Sequence, residues 1–175
     1  MQLVDLATGA CAPKNSLLHS PIYPAAGRLA DGRVVCAGGV GGASSAEVRG
    51  APGEQGAADA AWTWRALPAM SAGRFGCHGC VMSDGRFAVL GGYNINGVPT
   101  SSCEALVVDG DAHWQPLSHS RVYFACGAVA GCVFVAGGFG LTSAEVYDEE
   151  LNRWLRLPCD LPHVGGLSGM GSALM

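Results

Sequence analysis

The string Cys77-His78-Gly79-Cys80 brings two thiols and an imidazole together, the ligand types that hold zinc. A Cys-x2-Cys pair needs a second pair, or histidines at suitable spacing, and neither lies nearby. It is no haem attachment site either, because Val81 stands where a histidine is required. On a strand, Cys77 and Cys80 would point to opposite faces. The string therefore reads as structural. Glu47, Glu104 and Glu145 could serve as acid–base carboxylates. They recur at one repeated position, whereas a catalytic carboxylate is needed once. A structural role is expected, such as accepting from backbone or tryptophan N–H groups. The histidines at 19, 78, 113, 119 and 163 are scattered. The densest polar cluster, His119 with Arg121 and Tyr123, alternates along one strand-like stretch. No Ser-His-Asp set follows from spacing. The glycine pairs precede strands rather than helix N-termini, so no phosphate loop is present. No metal or cofactor is expected.

The elements that carry these residues are strands, and they repeat. Leu29 to Gly39 (LADGRVVCAGG), Met82 to Gly92 (MSDGRFAVLGG) and Ala128 to Gly138 (AVAGCVFVAGG) align without gaps. Each has a turn glycine, a short apolar strand and then a glycine pair: Gly38-Gly39, Gly91-Gly92, Gly137-Gly138. A second strand follows each, bearing Glu47, Glu104 or Glu145. A third carries Trp-x-x-Leu, at Trp64, Trp114 and Trp154. Two copies continue into Pro68 and Pro158, and two place an arginine, Arg74 or Arg121, before the next strand. A fourth, small-residue strand is predicted at Gly76 to Met82, Ala125 to Ala130 and Gly165 to Leu174. A diglycine permits φ > 0 and close approach of neighbouring sheets. The tryptophan fills space between sheets and needs one partner for its indole N–H. Four short strands per repeat, at a period of about 50 residues, predict blades of a β-propeller.

Composition narrows the function classes. Hydrophobic residues make up 49% and charged residues 14%, so the chain buries a real core rather than staying disordered. The net charge of −4, with no basic cluster, argues against nucleic acid. MQLVDLATG carries an acid and no basic or long apolar segment, so it does not read as a signal peptide. Val122 to Ala144 carries no charge and by length could be a membrane span. Its sister copy at Met82 to Gly92 contains Asp84 and Arg86, so both read as buried strands. Of the eight cysteines, Cys36, Cys80, Cys126 and Cys132 sit in apolar runs, where free thiols pack as small hydrophobes. Reduced thiols in cytoplasm or nucleus are expected.

Diglycine, Glu-Val-Tyr strand, Trp-x-x-Leu-Pro and arginine together resemble the kelch motif, across roughly Cys11 to Met175. The fold class this implies is all-β: a kelch-type β-propeller sector of three full four-stranded blades plus part of a preceding one. Residues 1–175 form one domain in this reading, with a partial blade at 1–32 and blades at 33–85, 86–131 and 132–175. The motif's second-strand Tyr is present only as Tyr147, with Arg49 and Leu106 in the other copies, and the first partial blade lacks its Trp. A ring needs about four to eight blades. The remainder is expected from a longer chain or a second copy.

The resemblance implies a non-enzymatic protein-interaction domain, such as the substrate-recognition part of a ubiquitin-ligase adaptor, although no BTB or F-box module is visible here. It also leaves open a propeller enzyme, of the copper-radical-oxidase or sugar- or nitrile-acting kinds, and a cytoskeletal scaffold. In kelch propellers that bind peptides, contacts commonly come from the residue after the diglycine and from the arginine with its neighbour. Those positions are Val40, Tyr93 and Phe139, then Arg74-Phe75 and Arg121-Val122. Two arginines on one rim would suit an acidic segment. Family peptide binders often have serine beside that arginine, where Phe75 and Val122 stand here. The alternative is that both arginines close contacts between blades.

Overall fold

The computed structural model describes residues 2–5, 7–13, 16–50, 63–107, 110–113, 121–162 and 168–169. Among them every regular element is a strand. The first two, β1 (Gln2–Val4) and β2 (Cys11–Pro13), pair as an antiparallel hairpin. A four-stranded sheet follows, formed in order by β3 (Ala25–Arg28), β4 (Val34–Ala37), β5 (Ala46–Arg49) and β6 (Trp64–Leu67). The short strand β7 (Arg74–Phe75) leads into β8 (His78–Val81) and β9 (Phe87–Leu90). Then come β10 (Tyr93–Asn94), which pairs back onto β7, β11 (Cys103–Val107) and β12 (Gly110–His113). The second sheet runs β8-β9-β11-β12. The third is β13 (Ala125–Val129), β14 (Cys132–Ala136), β15 (Ala144–Asp148) and β16 (Arg153–Arg156), again in order and antiparallel. The uncharged run Val122 to Ala144 is thus a hairpin, β13–β14, and not a span.

One expectation is corrected. The repeat boundaries placed the small-residue strand at the end of a blade. It instead hydrogen-bonds to the diglycine strand that follows it, so the sheets begin one strand earlier, at Ala25, His78 and Ala125. The cause is local. In the turns Asp31-Gly32-Arg33 and Asp84-Gly85-Arg86 the aspartate accepts the arginine backbone N–H at 3.0 Å and its Nε–H at 2.6 Å. The central glycines take φ of +89° and +85°. Such a turn closes a hairpin between its flanking strands.

The three sheets stand face to face around the inner strands, with β8 against both β3 and β13. Between the first and second sheets the core contains Val35, Val48, Phe87, Val89 and Leu106. Between the second and third it contains Leu90, Phe124, Val133, Val135 and Tyr147. Cys77 lies in the first cluster and Cys80 in the second, so the Cys-His-Gly-Cys string straddles one strand as alternation requires. Phe87 sits between inner-strand glycines: a Cβ on Gly27 or Gly79 would come within 2.7 or 2.4 Å of its ring. Trp64 is buried, and Trp154 packs on Tyr147 at 5.2 Å. The Trp64 indole N–H lacks the hydrogen-bond partner expected for it among the described residues. Trp114 and the strand predicted at 165–174 lie almost wholly outside the described residues. In the second sheet the residue opposite Leu106 is Asp111, where the other two sheets set Trp64 opposite Arg49 and Trp154 opposite Tyr147.

Candidate functional site

Antiparallel order puts the diglycine turns and the sheet-to-sheet connections at one end of the molecule, and the Asp-Gly-Arg turns at the other. All six diglycine residues have positive φ. The first of each pair donates to the serine that opens the next strand: Gly38 to Ser45, Gly91 to Ser102 and Gly137 to Ser143. The second reaches the adjacent connection, Gly39 to the Arg74 carbonyl and Gly92 to the Arg121 carbonyl, each at 2.8 Å. A Cβ on Gly38 would sit 2.6 Å from that Arg74 oxygen. The glycines therefore permit close approach, as the sequence predicts.

The glutamates receive the same connections. Glu47 accepts the Leu18 and His19 backbone N–H groups at 2.8 and 2.9 Å. Glu104 accepts those of Ser71 and Ala72 at 2.7 and 3.1 Å. Arg74 donates to Glu104 at 2.8 Å, to the Gly91 and Ser102 carbonyls and to the Ser102 hydroxyl. Arg121 repeats this set with Glu145, Gly137 and Ser143. Both arginines are fully buried, at 0% exposure. Burial pushes the Glu104 carboxyl up, but the Ser71 N–H and the Arg74 guanidinium outweigh it and hold its pKa below the ordinary value. Burial lowers the Arg121 pKa, and Glu145 opposes that shift. In the first connection Pro21 occupies the arginine position. There the His19 ring meets Glu47 at 2.7 Å instead.

These contacts correct part of the predicted binding set. Arg74 and Arg121 clamp one sheet to the next and offer nothing to a partner's carboxylate. Val122 is buried as well. The residues beside them behave differently. Val40 pairs with Ile22 and Tyr93 with Phe75, while the Phe139 N–H bonds the Val122 carbonyl at 3.0 Å. The two predicted positions of each repeat therefore meet at the mouth. Phe139 is 70% exposed there, Val40 is exposed, and Phe75 and Tyr93 are half-buried.

Sequence reasoning placed Tyr123 only in a polar cluster and missed Tyr23 altogether. They occupy the next position of the connections, with Gly76 between them. All three take positive φ, +57°, +60° and +55°, as does Gly169 at +70°. Their backbones bond in series: Gly76 N–H to the Tyr23 carbonyl, Tyr123 N–H to Gly76, and Gly169 N–H to Tyr123, at 3.0, 3.2 and 2.9 Å. Aligning Ile22-Tyr23, Phe75-Gly76 and Val122-Tyr123 as copies was the signal available for finding them. The rings form one group. Tyr23 and Tyr123 meet edge-on at 5.4 Å, Tyr123 and Tyr93 at 6.1 Å, and Tyr93 stacks on Phe75 at 5.3 Å. A Cβ on Gly76 would lie 3.1 Å from the Tyr123 ring, so glycine leaves room for it.

Elsewhere the chemistry-bearing residues are quiet. Burial raises the Cys36 and Cys77 thiols to about 11, and a hydrogen bond with Cys80 together with burial raises Cys126. Such thiols are poor nucleophiles. Burial lowers the His78 pKa, and its ring lies 5.8 Å from Phe124. Among the described residues no three His, Cys, Asp or Glu side chains converge as metal ligands.

The kelch motif profile matches residues 120–159, the span holding the Arg121 clamp, the diglycine, Glu145 and Trp154. The chain carries a kelch motif on a β-propeller fold. Its three sheets are blades, and the clamp is the physical content of the repeat. An F-box/kelch-repeat protein of Arabidopsis thaliana is 34% identical over 116 residues, covering 54% of this chain and 30% of that protein. The chain thus spans under a third of this relative's length. The solved structure of YjhT aligns with a TM-score of 0.69 at 12% identity, over 85% of this chain and 55% of that one. That likeness is of fold.

Proposed function

We propose that this propeller is a protein-interaction domain whose partner docks on the diglycine end. The aromatic mouth carries the reading. Exposed Ile22, Tyr23, Val40 and Phe139 surround the packed rings of Phe75, Tyr93 and Tyr123. Aromatic anchors at the centre of a patch carry most of the energy in protein interfaces. The F-box/kelch-repeat relative supports an adaptor setting in which this domain recognises the substrate of a ubiquitin ligase. Cys36, Cys77, Cys80, Cys103 and Cys126 are buried as thiols, the last four packed among apolar residues, which supports the proposal of a reducing compartment, cytoplasm or nucleus.

Affinity capture from cell extract, quantified by mass spectrometry, tests the reading. Phe139→Ser and Tyr93→Ala should deplete the same set of captured proteins relative to wild type. Glu150→Lys, at the far end, should not. An unchanged set with both mouth variants, each folded by circular dichroism, would remove this surface from the function.

A further inference from the structure

The chemistry of the mouth narrows the partner. We infer that it takes an uncharged, proline-rich segment in extended polyproline conformation, laid across Phe75, Tyr93, Tyr123 and Tyr23. This rests on the diglycine end being the docking surface. Charge is the first argument. Among the described loop residues of this end, Arg74 and Arg121 are buried and paired, and Glu47, Glu104 and Glu145 point inward and are satisfied. The exposed formal charges are Asp160 and, at the end of β16, Arg156, which pair with each other at 3.1 Å. Among the described residues an acidic segment finds no unpaired cation here. A basic one finds no free carboxylate at the rings.

Ring geometry is the second. A cage for a cationic head group needs ring faces turned onto an empty centre. These rings fill that centre with one another, at 5.3 to 6.1 Å. They make a platform. The positive-φ backbone chain through Tyr23, Gly76 and Tyr123 holds it, so little ordering remains to oppose binding.

Hydroxyls are the third. Those of Tyr23, Tyr93 and Tyr123 have no hydrogen-bond partner among the described residues. Each is a phenol O–H donor at neutral pH, and burial, then the neighbouring Tyr23 and Tyr93, raises the Tyr123 pKa further above its ordinary value. A ligand that covers these hydroxyls must bring acceptors, or each costs a desolvated donor. A docked helix has spent its carbonyls internally. A polyproline segment has not, it presents apolar rings, and it is already ordered before binding.

Fluorescence anisotropy with labelled, end-blocked decaproline and a Pro-Pro-Leu-Pro repeat tests the inference. Saturable binding of either is expected. It should weaken roughly three- to tenfold in Tyr93→Phe or Tyr123→Phe, which keep the ring and remove one hydroxyl bond. It should be lost in Tyr93→Ala and be unaffected by Glu150→Lys. A Gly-Ser peptide of equal length should not bind. Failure of both proline probes, or tighter binding of an acidic peptide, an amphipathic helix or an oligosaccharide, overturns the inference. If the proline probes fail while Phe139→Ser and Tyr93→Ala still deplete captured proteins, the docking surface stands and only the partner chemistry falls.

Discussion

Arg74 shows how burial decides a residue's role. Its guanidinium and the Glu104 carboxylate are both fully withdrawn from water and bond each other and backbone groups, while the Arg74 Nε–H has no partner among the described residues. Removing one partner leaves the other charge uncompensated, which costs about 3–5 kcal/mol. Arg74→Ala should therefore lower the urea midpoint sharply and act on folding rather than on partner recognition. Arg74→Met with Glu104→Leu should recover much of that loss, since a well-packed apolar pair often matches a buried ion pair. The pH dependence follows from the Glu104 shift. Its folded pKa lies below the unfolded value, so the carboxylate stabilises the fold fully above the unfolded value. That contribution fades as pH falls through the ordinary glutamate range toward the folded pKa. The stability gap between wild type and Glu104→Gln, from urea titrations at a series of pH values, should narrow over the same range.

At the scale of the strand, inner-strand glycines differ in what they face. Gly27 and Gly127 hold one repeat position in the first and third blades, where the second has Cys80, and Gly79 stands one residue earlier. Gly27 and Gly79 face the Phe87 ring from the two sides of the first blade contact, whereas a Cβ on Gly127 would meet nothing within 4 Å. Gly79→Ala should destabilise by about 1–3 kcal/mol through overpacking. Gly127→Ala should be neutral or stabilise by about 0.4–1 kcal/mol, by restricting the unfolded chain. Thermal unfolding of the two variants side by side checks the contrast; equal effects would mean that Phe87 shifts freely. On the outer side of the third blade the cross-strand row Gly127, Phe134, Val146 and Leu155 is apolar, with Phe134 and Leu155 exposed. Of its counterparts in the first two blades, Val35 and Val48, then Cys80, Ala88 and Ala105, are buried.

Across the whole molecule, charge and aromaticity separate. The Asp31–Arg33 and Asp84–Arg86 turns and the Asp148-Glu149-Glu150 run lie at one end, and the aromatic mouth at the other. A partner at the mouth meets almost no formal charge, so its affinity should change little between roughly 50 and 500 mM salt, well past the range where screening removes exposed ion pairs. Capture of the same proteins at both salt concentrations checks this. Strong loss at high salt would move the interface to the charged end.

Much of this architecture is legible in the residues themselves. The glycine pairs, Glu47, Glu104 and Glu145 and the tryptophans recur because each solves a local backbone or packing problem once per blade. Repetition separates such solutions from chemistry, which explains why the glutamates read as frame before any coordinates. The grouping of strands was half-legible: the Asp-Gly-Arg turns signal a hairpin, yet alignment on the diglycine alone cut the blade one strand late. The arginines could not be assigned from sequence, because their partners Glu104 and Glu145 stand on other strands and nothing local says whether a long side chain turns in or out. The aromatic mouth was no more visible. Tyr23, Phe75, Tyr93 and Tyr123 come from separate turns, and only the close approach of blades, allowed by glycines at positive φ, brings their rings together. The chain by itself thus determined the repeated frame. The tertiary structure decided which side chains that frame consumes and which it leaves facing a partner, because burial and ring contact depend on neighbours distant in sequence.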